Sequence, residues 1–285
     1  MKSKFFGVVE AFYGKPYTFK ERHDLIVFLS DCGLNTYVYG PKNDVFHRKK
    51  WQQPYPNNIL KEFEKLVHMS KKHSMNFNYA LSPVLKTDTE KVIEKVNSMV
   101  KIGITHFSLF FDDIDVELSQ KTAETQVTVA NELLGFLKNN VSNSILFFCP
   151  TQYHGFLKTE YIKKVSQTLD KDIFIMWTGK QVVSKKITVL DLDKITEMIK
   201  RKPLIWDNIF ANDYIPGMIL RFPYRHREPE IIAKVKGILI NPMNQYTESK
   251  PLIYTAAKFF RNPHAYVPRK AWREVMRILD SQSLY

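Results

Sequence analysis

The feature that most constrains this chain is the recurrence of eight short runs of β-branched and aromatic residues, each followed by a polar loop and helical periodicity. The runs are Phe5 to Val9, Asn35 to Tyr39, Met75 to Leu81, Thr105 to Phe111, Ser144 to Phe148, Ile173 to Met176, Pro203 to Ile205 and Gly237 to Ile240. Their closing residues, Glu10, Lys42, Ser82, Asp112, Cys149, Trp177, Trp206 and Asn241, stand 28 to 40 positions apart, which leaves room for one helix per crossover. Between the runs, segments 59–74, 90–102, 122–139 and 195–201 carry apolar side chains at three- and four-residue spacing. This alternation predicts an α/β chain folded as a single (β/α)8 barrel, one domain over residues 1–285. An open doubly wound sheet fits less well. The unit count is too high for it, and no Gly-x-Gly-x-x-Gly follows the first run.

In such a barrel the loops beyond the strands' C-terminal ends build the active site, so the residues closing each run are the first candidates. The most informative is Ser108 to Asp115, SLFFDDID, where an apolar strand leads straight into two adjacent carboxylates. Neighbouring side chains on a strand point to opposite faces, so Asp112 and Asp113 share a cavity only if the backbone curves at the strand exit. Two carboxylates so close resist joint ionisation, and one of them is then expected to stay protonated near neutral pH as a general acid. The competing reading is an Asp pair that caps the next helix. Other strand ends add Lys42, Tyr153, Trp177, the group Trp206, Asp207, Asn208 and Asp213, and Asn241. Aromatic faces stack on the C–H surfaces of pyranose rings, while amides and carboxylates bind hydroxyls, so this mixture suits a sugar site. Each of these residues alone also has an ordinary structural reading as core, cap or solvated cation.

Composition narrows the classes further. With 44% hydrophobic and 25% charged residues the chain has a globular balance and no low-complexity linker. The opening MKSKFFGVVEAFYG has no signal-peptide pattern and no run of about 18 apolar residues occurs, so a soluble, cytoplasmic protein without a membrane span is expected. Cys32 and Cys149 lack ligand spacing and are expected as reduced thiols, with no metal site and no cofactor. The net charge of +13 raises a nucleic-acid partner. Its basic runs, His47 to Lys50, Lys71 with Lys72, and Lys200 to Lys202, are scattered over loops and helix ends, which reads as a solvated surface rather than a specific nucleic-acid interface.

The ordered set GVVEAFYG at 7–14, NTYVYGPKND with HR at 35–48, YALSP at 79–83, FFDDID at 110–115, MWTGKQVVS at 176–184, WDNIFANDY at 206–214 and GILINPM at 237–243 resembles the catalytic domain of glycoside hydrolase family 84. The resemblance covers nearly the whole chain. It implies a retaining β-N-acetylglucosaminidase of hyaluronidase-like and O-GlcNAcase type, acting on a glycan or glycoprotein that bears terminal N-acetylglucosamine. It implies substrate-assisted catalysis through an oxazoline intermediate, with Asp112 polarising the 2-acetamido group and Asp113 as general acid/base. By the same resemblance Lys42 and Asn208 contact the sugar and acetamido group, and Tyr153 donates to the acetamido oxygen. Asp213 and Asn241 hold outer hydroxyls, while Cys149, Thr178 and Trp206 line the pocket. The sequence departs from the family pattern at four positions: Ala11 in place of a glycine whose carbonyl meets the sugar, Gly40 in place of Ala, Asn43 in place of Asp, and Val84 in place of Gly. Ala11 is the feature that would suit a catalytically reduced glycan-binding barrel instead of an enzyme.

Overall fold

Alternation of inward and outward side chains in each run needs a surface with two buried faces, and closing the sheet on itself supplies both. A computed structural model describes residues 4–83, 88–215 and 217–282, so Val84 lies outside the described residues. The eight strands are β1 (Phe5–Glu10), β2 (Thr36–Tyr39), β3 (Asn76–Leu81), β4 (His106–Phe110), β5 (Ile145–Cys149), β6 (Phe174–Trp177), β7 (Leu204–Asp207) and β8 (Gly237–Ile240). They pair in parallel in chain order, and β8 returns to β1 with Phe5 opposite Gly237, so the barrel is closed. Every predicted run holds a strand, displaced by no more than two residues at either end.

The intervening helices are α1 (Phe19–Asp31), α2 (Asn57–Lys72), α3 (Thr89–Val100), α4 (Gln120–Asn140), α5 (Glu160–Thr168), α6 (Val189–Ile199), the single turn α7 (Ile231–Lys234) and α8 (Tyr246–Arg261). A last helix, α9 (Pro268–Gln282), was absent from the sequence reading and packs on α8. Helix starts are chemically marked. Thr18 with Glu21 and Thr188 with Asp191 form reciprocal capping boxes, and Ser119 and Thr159 each accept an N–H of their own first turn.

Two cores follow from the alternation. Outward residues such as Val8, Phe107 and Leu109 pack under the helices. Inward residues fill the barrel, and at its closed end Phe5, Phe147 and Phe174 meet edge-to-face with ring centroids 4.9 to 5.8 Å apart. Near the open end, Phe110 and Trp206 lie 4.9 Å apart and form the floor beneath the strand-end loops. No helix of the described residues is long and apolar enough to cross a membrane.

Glycine at position 7 is what allows β1 to approach β2. A Cβ there would stand 1.7 Å from the Thr36 carbonyl oxygen, an atom held in the sheet ladder. Replacing Gly7 by Ala is therefore expected to remove about 3 kcal/mol of unfolding free energy through overpacking that backbone cannot relieve. The shift of a urea unfolding midpoint measures it, and an unchanged midpoint would show that the two strands part at no cost.

Candidate active site

At the end of β4 the strand alternation continues for two residues and then stops. Phe110 points into the barrel, Phe111 packs outward, and Asp112 comes back to the cavity. Asp113 would then face away, but its backbone turns into the left-handed region, φ 51°, and the side chain joins Asp112 at the mouth. A non-glycine residue held there costs about 1–2 kcal/mol and persists only where the surroundings enforce it. Arg48 is one such constraint, since its Nη2 donates to the Asp113 carbonyl oxygen at 2.7 Å.

The two carboxylates live in different surroundings. Asp112 is buried and forms an ion pair with the Lys42 ammonium, the two side chains being 6% and 1% exposed. Lys42 sits over the faces of Phe110 and Trp206, at 5.6 and 5.4 Å from the ring centroids. The second carboxylate oxygen of Asp112, Oδ1, is buried with no hydrogen-bond partner, on a residue that lines the cavity. Asp113 is more exposed, and each of its oxygens accepts a phenol: Tyr153 donates to Oδ1 at 2.7 Å and Tyr13 to Oδ2 at 2.9 Å.

Here the like-charge expectation for the pair needs correction. Burial pushes the Asp113 pKa up, but the Lys42 ammonium, the Tyr153 and Tyr13 hydroxyls and Arg48 together hold it below the usual carboxylate range. Lys42 already balances the charge of Asp112, so Asp113 faces a neutralised neighbour and four groups that favour its ionised form. These contacts favour the ionised form of Asp113. Cys149, by contrast, is fully buried and its thiol is pushed well above the ordinary value, so it lines the wall as an inert protonated group.

The cavity measures about 440 Å³, the size of a small-ligand site. All eleven residues to which the family resemblance gives a part in the site line it. Ala11, Lys42, Asp112, Asp113 and Cys149 come from the ends of β1, β2, β4 and β5. Tyr153, Thr178, Trp206, Asn208, Asp213 and Asn241 complete it. A ladder of amides fixes one wall: the Asn208 Oδ1 accepts from Trp206 Nε1 at 2.8 Å and Asn241 Nδ2 at 2.9 Å, and the Asn241 Oδ1 accepts from the Ala11 N–H at 3.3 Å. Ala11 lies outside the left-handed region, so its methyl group is compatible with its backbone. Gly40 is required where it stands, because a Cβ would lie 2.7 Å from the Phe110 ring.

Four other candidates, Glu10, Ser82, Trp177 and Asp207, are not among the residues that line the cavity. Trp177 is buried beneath Phe156 with its Nε1 on the Gly155 carbonyl, and Asp207 faces outward to Arg227 and Tyr224. The reading of His47 to Lys50 as a solvated basic run also fails in part. His47 is fully buried, its pKa lowered to about 4 by desolvation and by Lys42, while Arg48 braces Asp113 and Tyr13. Tyr13, Val182, Val183, Ala211 and Tyr214 line the cavity without having been singled out. Tyr13 and Tyr214 belong to quoted motifs, but nothing local separates an aromatic at the rim from one in the core. Among the described residues, no group of three or more His, Cys, Asp or Glu is placed to hold a metal ion.

A family model described as beta-N-acetylglucosaminidase matches residues 6–284. The chain belongs to this family, glycoside hydrolase family 84. Among its β-N-acetylglucosaminidase relatives, Protein O-GlcNAcase of Rattus norvegicus and that of Mus musculus are each 33% identical over 275 residues. Those matches cover 90% of this chain and 30% of each relative, so the chain spans under a third of their length. A mutant of the Thermobaculum terrenum O-GlcNAc hydrolase superposes with a TM-score of 0.92 at 32% identity, over 97% of this chain and 63% of that one.

The two phenols on Asp113 give a direct test of its electrostatics. Tyr153→Phe removes a hydrogen bond to the ionised carboxylate, so the Asp113 pKa is expected to rise. Carbon-13 NMR titration of labelled aspartates in the free protein measures it. An Asp113 resonance that titrates at the same pH in both proteins would contradict the geometry.

Proposed function

We propose that this barrel is one catalytic domain, a retaining β-N-acetylglucosaminidase that hydrolyses terminal β-linked N-acetylglucosamine with help from the substrate's own acetamido group. The observation that carries the reading is the unequal pair: Asp112, buried against Lys42 with one oxygen unpartnered, beside Asp113, set at the mouth by a left-handed backbone. An amide N–H directed at Asp112 Oδ1 would satisfy that acceptor. As the acetamido oxygen attacks the anomeric carbon, positive charge grows on the amide nitrogen, and a buried carboxylate next to it stabilises that charge more than it stabilises the ground state.

Tyr153 is proposed to orient the acetamido oxygen. Its hydroxyl donates to Asp113 in this structure. A substrate that takes this hydroxyl withdraws one stabiliser of the ionised carboxylate and also covers it from water, and both effects raise its pKa. Substrate binding thereby brings Asp113 toward the protonated form needed to donate to the departing glycosidic oxygen. Water then attacks the anomeric carbon while Asp113, now ionised, takes its proton, and the bond from that carbon to the acetamido oxygen breaks to restore the amide, with net retention and no sugar–enzyme bond. Lys42, Asn208, Asp213 and Asn241 hold the sugar hydroxyls and the acetamido group, with Ala11 beside them. Cys149, Thr178 and Trp206 enclose the acyl end. Protein-linked N-acetylglucosamine in the cytoplasm is the proposed substrate, in keeping with the O-GlcNAcase relatives.

Substrate assistance makes the rate depend on the substrate's amide. Successive fluorination of the acetyl methyl weakens the carbonyl oxygen as a nucleophile and is expected to lower kcat/KM stepwise on an aryl N-acetylglucosaminide, with an N-propionyl analogue controlling for size. A flat series, or a sugar trapped on Asp112 or Asp113, would replace the mechanism with an enzyme nucleophile. A folded protein that hydrolyses no N-acetylglucosaminide would leave the glycan-binding reading.

Replacing Asp113 by Asn removes the proton donor. The loss should reach about 100- to 10,000-fold on alkyl glycosides, whose leaving oxygen needs a proton, and be far smaller on activated aryl glycosides. Equal losses on both would reassign the acid.

A further inference from the structure

The loops that follow β6 and β7 meet at one side chain that has no place in the reaction scheme. Arg227 is wholly buried, and its guanidinium directs donors to two separate parts of the chain. Nε and Nη2 pair with the Asp207 carboxylate at 2.8 and 2.6 Å. Nη2 also donates to the Ser184 carbonyl oxygen at 2.8 Å, and Nη1 to that of Lys185 at 3.0 Å. The backbone runs alongside: the Ile187 N–H donates to the His226 carbonyl oxygen at 3.1 Å.

Each end of this junction leads to the cavity. Asp207 closes β7, accepts the Tyr224 hydroxyl at 2.8 Å and caps the short turn Asn208–Phe210 by accepting the Ile209 N–H at 3.1 Å. The first residue of that turn is Asn208, whose Oδ1 is filled by Trp206 and Asn241 and whose Nδ2 donates to the Val182 carbonyl oxygen at 2.8 Å. Val182 and Val183 precede Ser184 directly and line the cavity beside Asn208. A buried carbonyl without a donor is costly, and the Ser184 and Lys185 carbonyls take theirs from the same guanidinium that balances Asp207.

We infer that Arg227 is a positioning residue of the proposed sugar site: by bonding Asp207 and the Ser184–Lys185 backbone at once, it sets the distance between Asn208 and the Val182–Val183 wall. This rests on the reading of the cavity as a sugar site. Arg227 touches no substrate, and its effect passes through Asn208 and the β6 loop. A planar fork of fixed shape can serve both sides simultaneously, which a single ammonium cannot.

Arg227→Lys keeps a cation against Asp207 but gives up the span to both carbonyls. KM for an aryl N-acetylglucosaminide is expected to rise about tenfold or more, because misplacement of a binding wall by about 1 Å costs up to about 100-fold, with kcat changing far less. Tyr224→Phe is the control, removing a hydrogen bond from the same carboxylate without touching the β6 loop, and should leave KM as in the wild type. An unchanged KM in Arg227→Lys, accompanied only by a lower kcat or melting temperature, would overturn the inference, as would an equal KM rise in Tyr224→Phe. Hydrogen exchange of the wild-type protein tests the junction independently of any variant's folding. The Ile187 amide is expected to be protected like those of β6 and β7, and exchange at the rate of a surface loop would overturn the clamp. Absence of turnover by the wild type would count against the proposed function instead, with the exchange result still deciding the junction.

Discussion

The buried ion pair between Lys42 and Asp112 is the interaction on which the site depends. An isolated carboxylate at the floor of an aromatic-lined cavity would cost several kcal/mol in lost hydration and would take up a proton instead. The ammonium removes that cost and is itself supported by the faces of Phe110 and Trp206. With the floor neutral overall, Asp113 sits beside it facing Lys42, and the Lys42 ammonium, the two phenols and Arg48 together favour its ionised form against the cost of burial.

From that pair the architecture runs outward in two layers. The inner layer is an amide ladder, Asn208 to Asn241 to the Ala11 backbone, which ties the ends of β7, β8 and β1 together around the cavity. The outer layer is ionic and out of reach of a ligand. Glu10 closes β1 against Arg22 just as Asp207 closes β7 against Arg227, each carboxylate buried and held by an arginine and a tyrosine hydroxyl. Strand alternation explains the division. The residue at the strand end faces the cavity or the helices according to its register, so polar strand ends serve both the site and its frame.

Departures from the family pattern make sense in the same terms. Gly40 leaves the room that the Phe110 ring occupies, and Phe110 in turn carries Lys42. Ala11 adds a methyl group where the backbone accepts one and keeps its N–H on Asn241. Neither removes a group on which the proposed chemistry relies.

Eight apolar runs at crossover spacing determined the barrel, because a parallel strand with two buried faces has few other ways to be satisfied. Motifs at the strand ends determined which residues meet, since the fold delivers every strand end to one face, and the eleven given a role by the family resemblance all line the cavity. Sequence could not decide what those residues experience. That Asp113 enters the cavity rests on a left-handed backbone braced by Arg48, and that its ionised form is favoured rests on Lys42, Tyr153 and Tyr13, which come from three other strand ends. Trp177 and Asp207 belong to the same motifs as true wall residues and differ from them only in register. His47 and Arg48, part of an ordinary-looking basic run, became a buried neutral ring and a brace for the acid. Periodicity and motif are local in the chain, whereas register, desolvation and charge pairing belong to distances across the barrel, and only the folded chain sets those.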